Sequence, residues 1–115
     1  MKLIFKRDQR EEKGTIVEQK GIKFLLSCRA ELTPEEQDLI KKFKAEEELL
    51  AKFTLTSSSL PNFLHVKDLV AGRNYECKDV ASLLEVEDQI KEACKSFRTL
   101  LDVMASFGGE EVIDF

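Results

Sequence analysis

Hydrophobic and polar residues alternate along this chain with two different periods, and each switch of period marks an element. In IKFLLSCRAEL, Ile22, Phe24, Leu26, Cys28, Ala30 and Leu32 fall on one side of a two-residue period, and Lys23, Ser27, Arg29 and Glu31 fall on the other. That alternation predicts a half-buried strand. The earlier KLIF is its expected partner, because Gly14 and Gly21 bracket a polar connection suited to a long, irregular hairpin. TPEEQDLIKKFKAEEE then changes to the helical period. Thr33 is placed to cap, Pro34 suits the first helical position and Glu36 completes an S/T-x-x-E capping box. Leu39, Ile40 and Phe43 form the apolar side, with Lys41, Lys42 and Lys44 near the end, where cations complement the helix dipole.

The segment AEEELLAKF is compatible with more helix, but LLAKFTLT sets Leu49, Ala51, Phe53 and Leu55 against Leu50, Lys52, Thr54 and Thr56, which predicts a strand over 48–56. TSSSLPN at 56–62 reads as a loop, too short to separate two domains. Beyond it, FLHV is expected as a short strand, KDLVAG as a single helical turn closed by Gly72, and NYECK as another strand. Asp79 offers an N-cap for VASLLEVEDQIKEACKSF, whose Leu83, Val86, Ile90, Ala93, Cys94 and Phe97 recur at intervals of three and four.

TLLDVMASF fits both periods. Leu101 and Met104 continue the helical stripe, whereas Leu101, Val103, Ala105 and Phe107 alternate. The β-branched residues and the two glycines ahead favour a strand here, with Gly108-Gly109 as a turn and EVIDF as the returning strand. The expectation is therefore an α+β fold in one domain over 1–115. It has a mainly antiparallel sheet, two principal helices packed on one face, the approximate order β-β-α-β-β-β-α-β-β and a C-terminal β-hairpin. On that reading, removing residues 110–115 destabilises the domain. The same apolar tail also suits capture by a strand-addition partner.

Composition adds limits. The 115 residues are 43% hydrophobic and 35% charged, as in a globular domain with one core. No apolar run approaches the ~20 residues needed to cross a bilayer. The apolar stretch in MKLIFKRDQREE is too short for the core of a signal peptide, so a cytoplasmic location is expected. Charge is uneven: residues 1–30 carry eight Lys or Arg against four acids, and residues 31–115 carry ten against eighteen. The signs interleave in KRDQREEK and the net charge is −4, which argues against an extended phosphate-binding face.

Candidate chemistry is sparse. Cys28, Cys77 and Cys94 are odd in number and widely spaced, unlike a disulfide framework. Cys28 and Cys94 lie on apolar faces and Cys77 shares a strand face with Tyr75, so all three read as core residues rather than nucleophiles activated by His65, the single histidine. Zinc ligands usually come in closely spaced pairs, and no CxxC or HxxxH occurs. The acidic runs lack a calcium-loop pattern and no glycine-rich phosphate cradle is present. No catalytic, cofactor-binding or metal-binding residue is assigned, and no cofactor is expected.

Three functional readings remain. The leading one is a non-enzymatic protein-interaction or self-associating module, a homodimer being its simplest form, because several short strands leave sheet edges for pairing. The second is a small-ligand binder or enzyme with a site around residues 57–79, drawing on His65, Arg73, Tyr75 or Asp79, where loops and short elements concentrate. The third is a binder of nucleic acid or another anionic partner through Lys2, Lys6, Arg7, Arg10 and Lys13.

Overall fold

The computed structural model describes residues 1–12, 21–54 and 61–115. Two long strands, β1 (Lys2–Glu12) and β2 (Gly21–Glu31), pair antiparallel from Lys2 opposite Glu31 to Glu12 opposite Gly21. The first strand thus runs well past KLIF. The polar RDQREE half continues the backbone ladder, which needs no apolar side chains. The glycine-bracketed connection expected between the strands falls on residues 13–20, outside the described residues.

Helix α1 (Pro34–Phe43) begins where its capping box predicts. The Glu36 amide donates to Thr33 Oγ1 at 3.2 Å, and the Thr33 amide donates to Glu36 Oε1 at 3.0 Å. It ends at Lys44, whose φ of 53° turns the chain out of the helix. Strand β3 (Leu49–Thr54) pairs with β4 (Pro61–His65) as a separate two-stranded sheet. The serine loop between them lies mostly in residues 55–60, outside the described residues. A short helix α2 (Val66–Ala71) ends at Gly72, whose φ of 99° is accessible to glycine at little cost. Strand β5 (Arg73–Cys77) then joins the far side of β2, giving the order β1-β2-β5.

Helix α3 (Val80–Ser106) closes the fold. Asp79 caps it, its Oδ1 accepting from the Ser82 amide at 2.7 Å. Its length corrects the strand expected over 99–107. Leu101 and Met104 are buried on the stripe begun by Leu83, Val86, Ile90 and Phe97, while Val103 is half exposed. Continuing a helix adds one backbone bond per residue with no new nucleus, whereas a strand here would need a new partner. The expected C-terminal β-hairpin is absent as well. Gly108, at φ 95°, and Gly109, whose amide donates to the Ser106 carbonyl at 3.0 Å, close the helix instead, and no strand forms over 110–115.

The α+β class therefore holds, with the order β-β-α-β-β-α-β-α and two antiparallel sheets. One buried cluster joins Leu26 and Cys28 of β2, Tyr75 and Cys77 of β5, Ile40 of α1, Leu64 of β4, Leu69 of α2 and the apolar stripe of α3. Among the described residues, no helix is long and apolar enough to cross a membrane.

Candidate functional site

The three-stranded sheet places β1 at its edge, so one side of that strand pairs with β2 and, among the described residues, no strand pairs with the other. Side chains alternate across it. Leu3 and Phe5 lie against the core, and Arg7 on the same face reaches α3. On the opposite face, Ile4 and Lys6 border a shallow depression of about 360 Å³ with Ser27, Arg29, Gly72, Arg73 and Asn74. The register sets Lys6 beside Ser27 and Ser27 beside Asn74, where Ser27 Oγ donates to Asn74 Oδ1 at 2.7 Å. Farther along the same face, Arg10 and Lys23 each approach Glu76 at 3.3 Å.

Two carboxylates are buried beneath this region. Glu87 of α3 is wholly inaccessible and receives the Arg7 guanidinium through both oxygens, at 2.5 and 2.6 Å. The hydrogen bonds from Arg7 hold its carboxyl below the usual carboxylate range against the opposing effect of burial. Glu36 lies between the Met1 amine at 3.0 Å and Arg98 Nη1 at 2.9 Å, tying β1, α1 and α3 together. Burial alone would raise its carboxyl. Bonds from the Thr33 amide, the Met1 amine and the Thr33 hydroxyl outweigh that and bring it to about 2.

The residues expected around 57–79 separate into two groups. His65, Arg73 and Tyr75 do come together, organised by Asp68. Asp68 Oδ2 accepts from the His65 amide at 3.0 Å and lies 3.2 Å from His65 Nδ1, while its Oδ1 meets Arg73 Nη2 at 3.0 Å. This arrangement fastens the start of α2 to β5. Asp79 stands apart, as the cap of α3. Tyr75 is buried, and burial pushes its hydroxyl up to about 12. Cys28, Cys77 and Cys94 are all buried free thiols. Burial raises each of them, Cys94 to about 11, the reverse of what a thiolate nucleophile needs. Among the described residues, no three His, Cys, Asp or Glu side chains gather as metal ligands.

The basic N-terminal residues are also divided. Arg7 is committed to Glu87 and Arg10 lies against Glu76, while Lys6 faces the outer depression and Lys13 lies outside the described residues. Two features were missed from the sequence. The extent of the β1 edge carries no apolar signal in its second half. Glu87, by contrast, sits four residues after Leu83 and three before Ile90, on the buried stripe, so its position alone marks it as a core carboxylate in need of a cation. Comparison with protein-family models, with characterised proteins and with solved structures finds no significant match in any of the three.

Proposed function

We propose that this protein is a non-enzymatic, self-associating interaction module whose β1 edge pairs with β1 of a second copy. The observation that carries this reading is an eleven-residue strand with an open edge and a self-complementary charge pattern. Its first half carries Lys2 and Lys6, Arg7 lies at its centre, and its second half carries Asp8, Glu11 and Glu12 with the single cation Arg10 among them. Turned antiparallel to itself about a two-fold axis through Arg7, the strand sets Lys6 opposite Asp8, Ile4 opposite Arg10 and Phe5 opposite Gln9. Residues of like parity face one another, so the outer faces of both sheets stay on one side. Each Arg7 on the axis is already neutralised by its own Glu87. The product is a continuous six-stranded sheet, and two-fold homodimers of this kind are the commonest soluble assemblies. A cytoplasmic setting suits a fold that keeps three free thiols in its core.

Sedimentation equilibrium tests it by charge exchange. Cross-strand ion pairs contribute roughly 0.2–1 kcal/mol each, and symmetry doubles every change. Lys6→Asp alone and Asp8→Lys alone are each expected to weaken the dimer about tenfold or more. The double exchange, which restores opposite charges, is expected to recover it. A monomer at every concentration, or a dimer indifferent to both single exchanges, overturns the proposal.

A second reading, small-anion binding in the outer depression, draws on Lys6, Arg29 and Arg73 around it. It has less support because Arg29 and Arg73 are already paired with Glu31 and Asp68.

A further inference from the structure

A strand that pairs with its own copy about a two-fold axis meets itself at the axis and sets its other residues in fixed pairs. With Arg7 on the axis, Lys2 faces Glu12, Leu3 faces Glu11, Ile4 faces Arg10, Phe5 faces Gln9 and Lys6 faces Asp8. Each charged residue of β1 then lies opposite a charge of the other sign or an uncharged side chain, with one exception. Arg7 lies opposite its own copy, and like charges directly opposite each other weaken strand pairing.

That single conflict falls where α3 supplies a carboxylate. Glu87, 80 residues away in the chain, receives Arg7 Nε and Nη2 through both of its oxygens, at 2.5 and 2.6 Å. The carboxylate is buried while Arg7 is 60% exposed, so the guanidinium reaches the strand edge with its counter-charge fixed beneath it. The strand alone carries four cations, Lys2, Lys6, Arg7 and Arg10, against three acids, Asp8, Glu11 and Glu12. Glu87 makes the two signs equal. An edge that is neutral and free of like-charge pairs suits a second copy of itself, whereas the same edge without Glu87 keeps a positive centre that suits an acidic strand.

We infer that Glu87 makes the β1 edge specific for itself: acting through Arg7, its carboxylate cancels the one like-charge contact on the two-fold axis and so selects a second copy of this chain over an acidic partner strand. Glu87 is on this account a positioning residue, and its role rests on the dimer proposed above.

Sedimentation equilibrium of the full chain at low and at high salt tests this role. Glu87→Gln keeps the shape of the side chain and removes its charge, and it is expected to weaken the dimer about fivefold at low salt. Salt screens the uncovered repulsion, so the difference from wild type is expected to shrink as salt rises. Arg7→Gln added to Glu87→Gln removes both charges and is expected to restore the wild-type dissociation constant, which a loss of packing alone would not allow. Mixed with a chain carrying Arg7→Glu and Glu87→Gln, the Glu87→Gln chain is expected to form the mixed dimer in preference to its own. A wild-type dimer that Glu87→Gln leaves unchanged, or weakens equally at every salt concentration, overturns the role of Glu87 and leaves the dimer in place. A wild-type chain that is monomeric throughout overturns the dimer and this role together.

Discussion

At Glu87 the core accepts a charge because Arg7 supplies its counterpart. The carboxylate is inaccessible while the guanidinium remains well exposed, so the pair stands at the boundary of the core with one end in water. Arg7→Ala strands a buried carboxylate and is expected to lower the midpoint of urea unfolding. Combining it with Glu87→Met, which removes the stranded charge and fills similar volume, is expected to recover much of that loss. A double variant less stable than Arg7→Ala alone would show that Glu87 has some other essential partner. Glu36 sets a pH response of definite sign. Its folded-state carboxyl lies near 2 and its ordinary value near 4.5, so its contribution is complete above the higher value and is lost as pH falls toward the lower. Glu36→Gln is expected to lower stability at neutral pH and to flatten the acid limb between those values, as followed by thermal melts across pH.

At the scale of elements, α3 is the framework on which the other pieces pack. Its 27 residues span about 40 Å at the usual helical rise. The helical phase persists through Leu101 and Met104, and the two sides of this late segment are unequal in consequence. Leu101→Ala is expected to cost roughly 2–5 kcal/mol, as for a fully buried leucine. Val103→Ser is expected to fall within about 0.5 kcal/mol, as for a surface change. A strand over 99–107 would align both residues on one face and make the two costs similar, so chemical denaturation of this pair tests the phase directly. The periods were equally good in the sequence of this segment. What decided between them was a continuous apolar surface already waiting beneath the helix, a property of the packed sheet and of α1 rather than of residues 99–107.

The whole molecule is elongated. Its principal extents are 66 × 33 × 20 Å and its radius of gyration is 17.9 Å, against about 13 Å for a compact chain of this length. β5 pairs only with Phe24–Cys28, so the far ends of β1 and β2 project beyond it as a two-stranded ribbon. The segment 110–115 adds no buried side chain. Its removal is therefore expected to leave the melting temperature of a dilute solution unchanged, the reverse of what a terminal hairpin implies. A fall of several degrees would show that the segment packs on the domain. An extended shape with an open edge and an uncovered apolar segment gives the molecule more surface for contact than for enclosure.

The sequence by itself determined the elements whose cues are local. The capping box at Thr33 and Glu36, the alternation that buries Leu26, Cys28 and Ala30, and the stripe from Leu83 to Phe97 each follow from side chains a few residues apart. It also placed the cysteines in the core, because each lies on a face already marked as apolar. Tertiary structure alone decided the length of β1, the division of the strands into two sheets, the pairing of Arg7 with Glu87 across the fold and the fate of the final residues. Those depend on partners distant in the chain. A ladder extends wherever a neighbouring backbone offers donors and acceptors, and a charge enters a core wherever an opposite charge can follow it. The glycines at 108 and 109 permit a turn of either kind, and the long helix ahead of them selected the one that ends it.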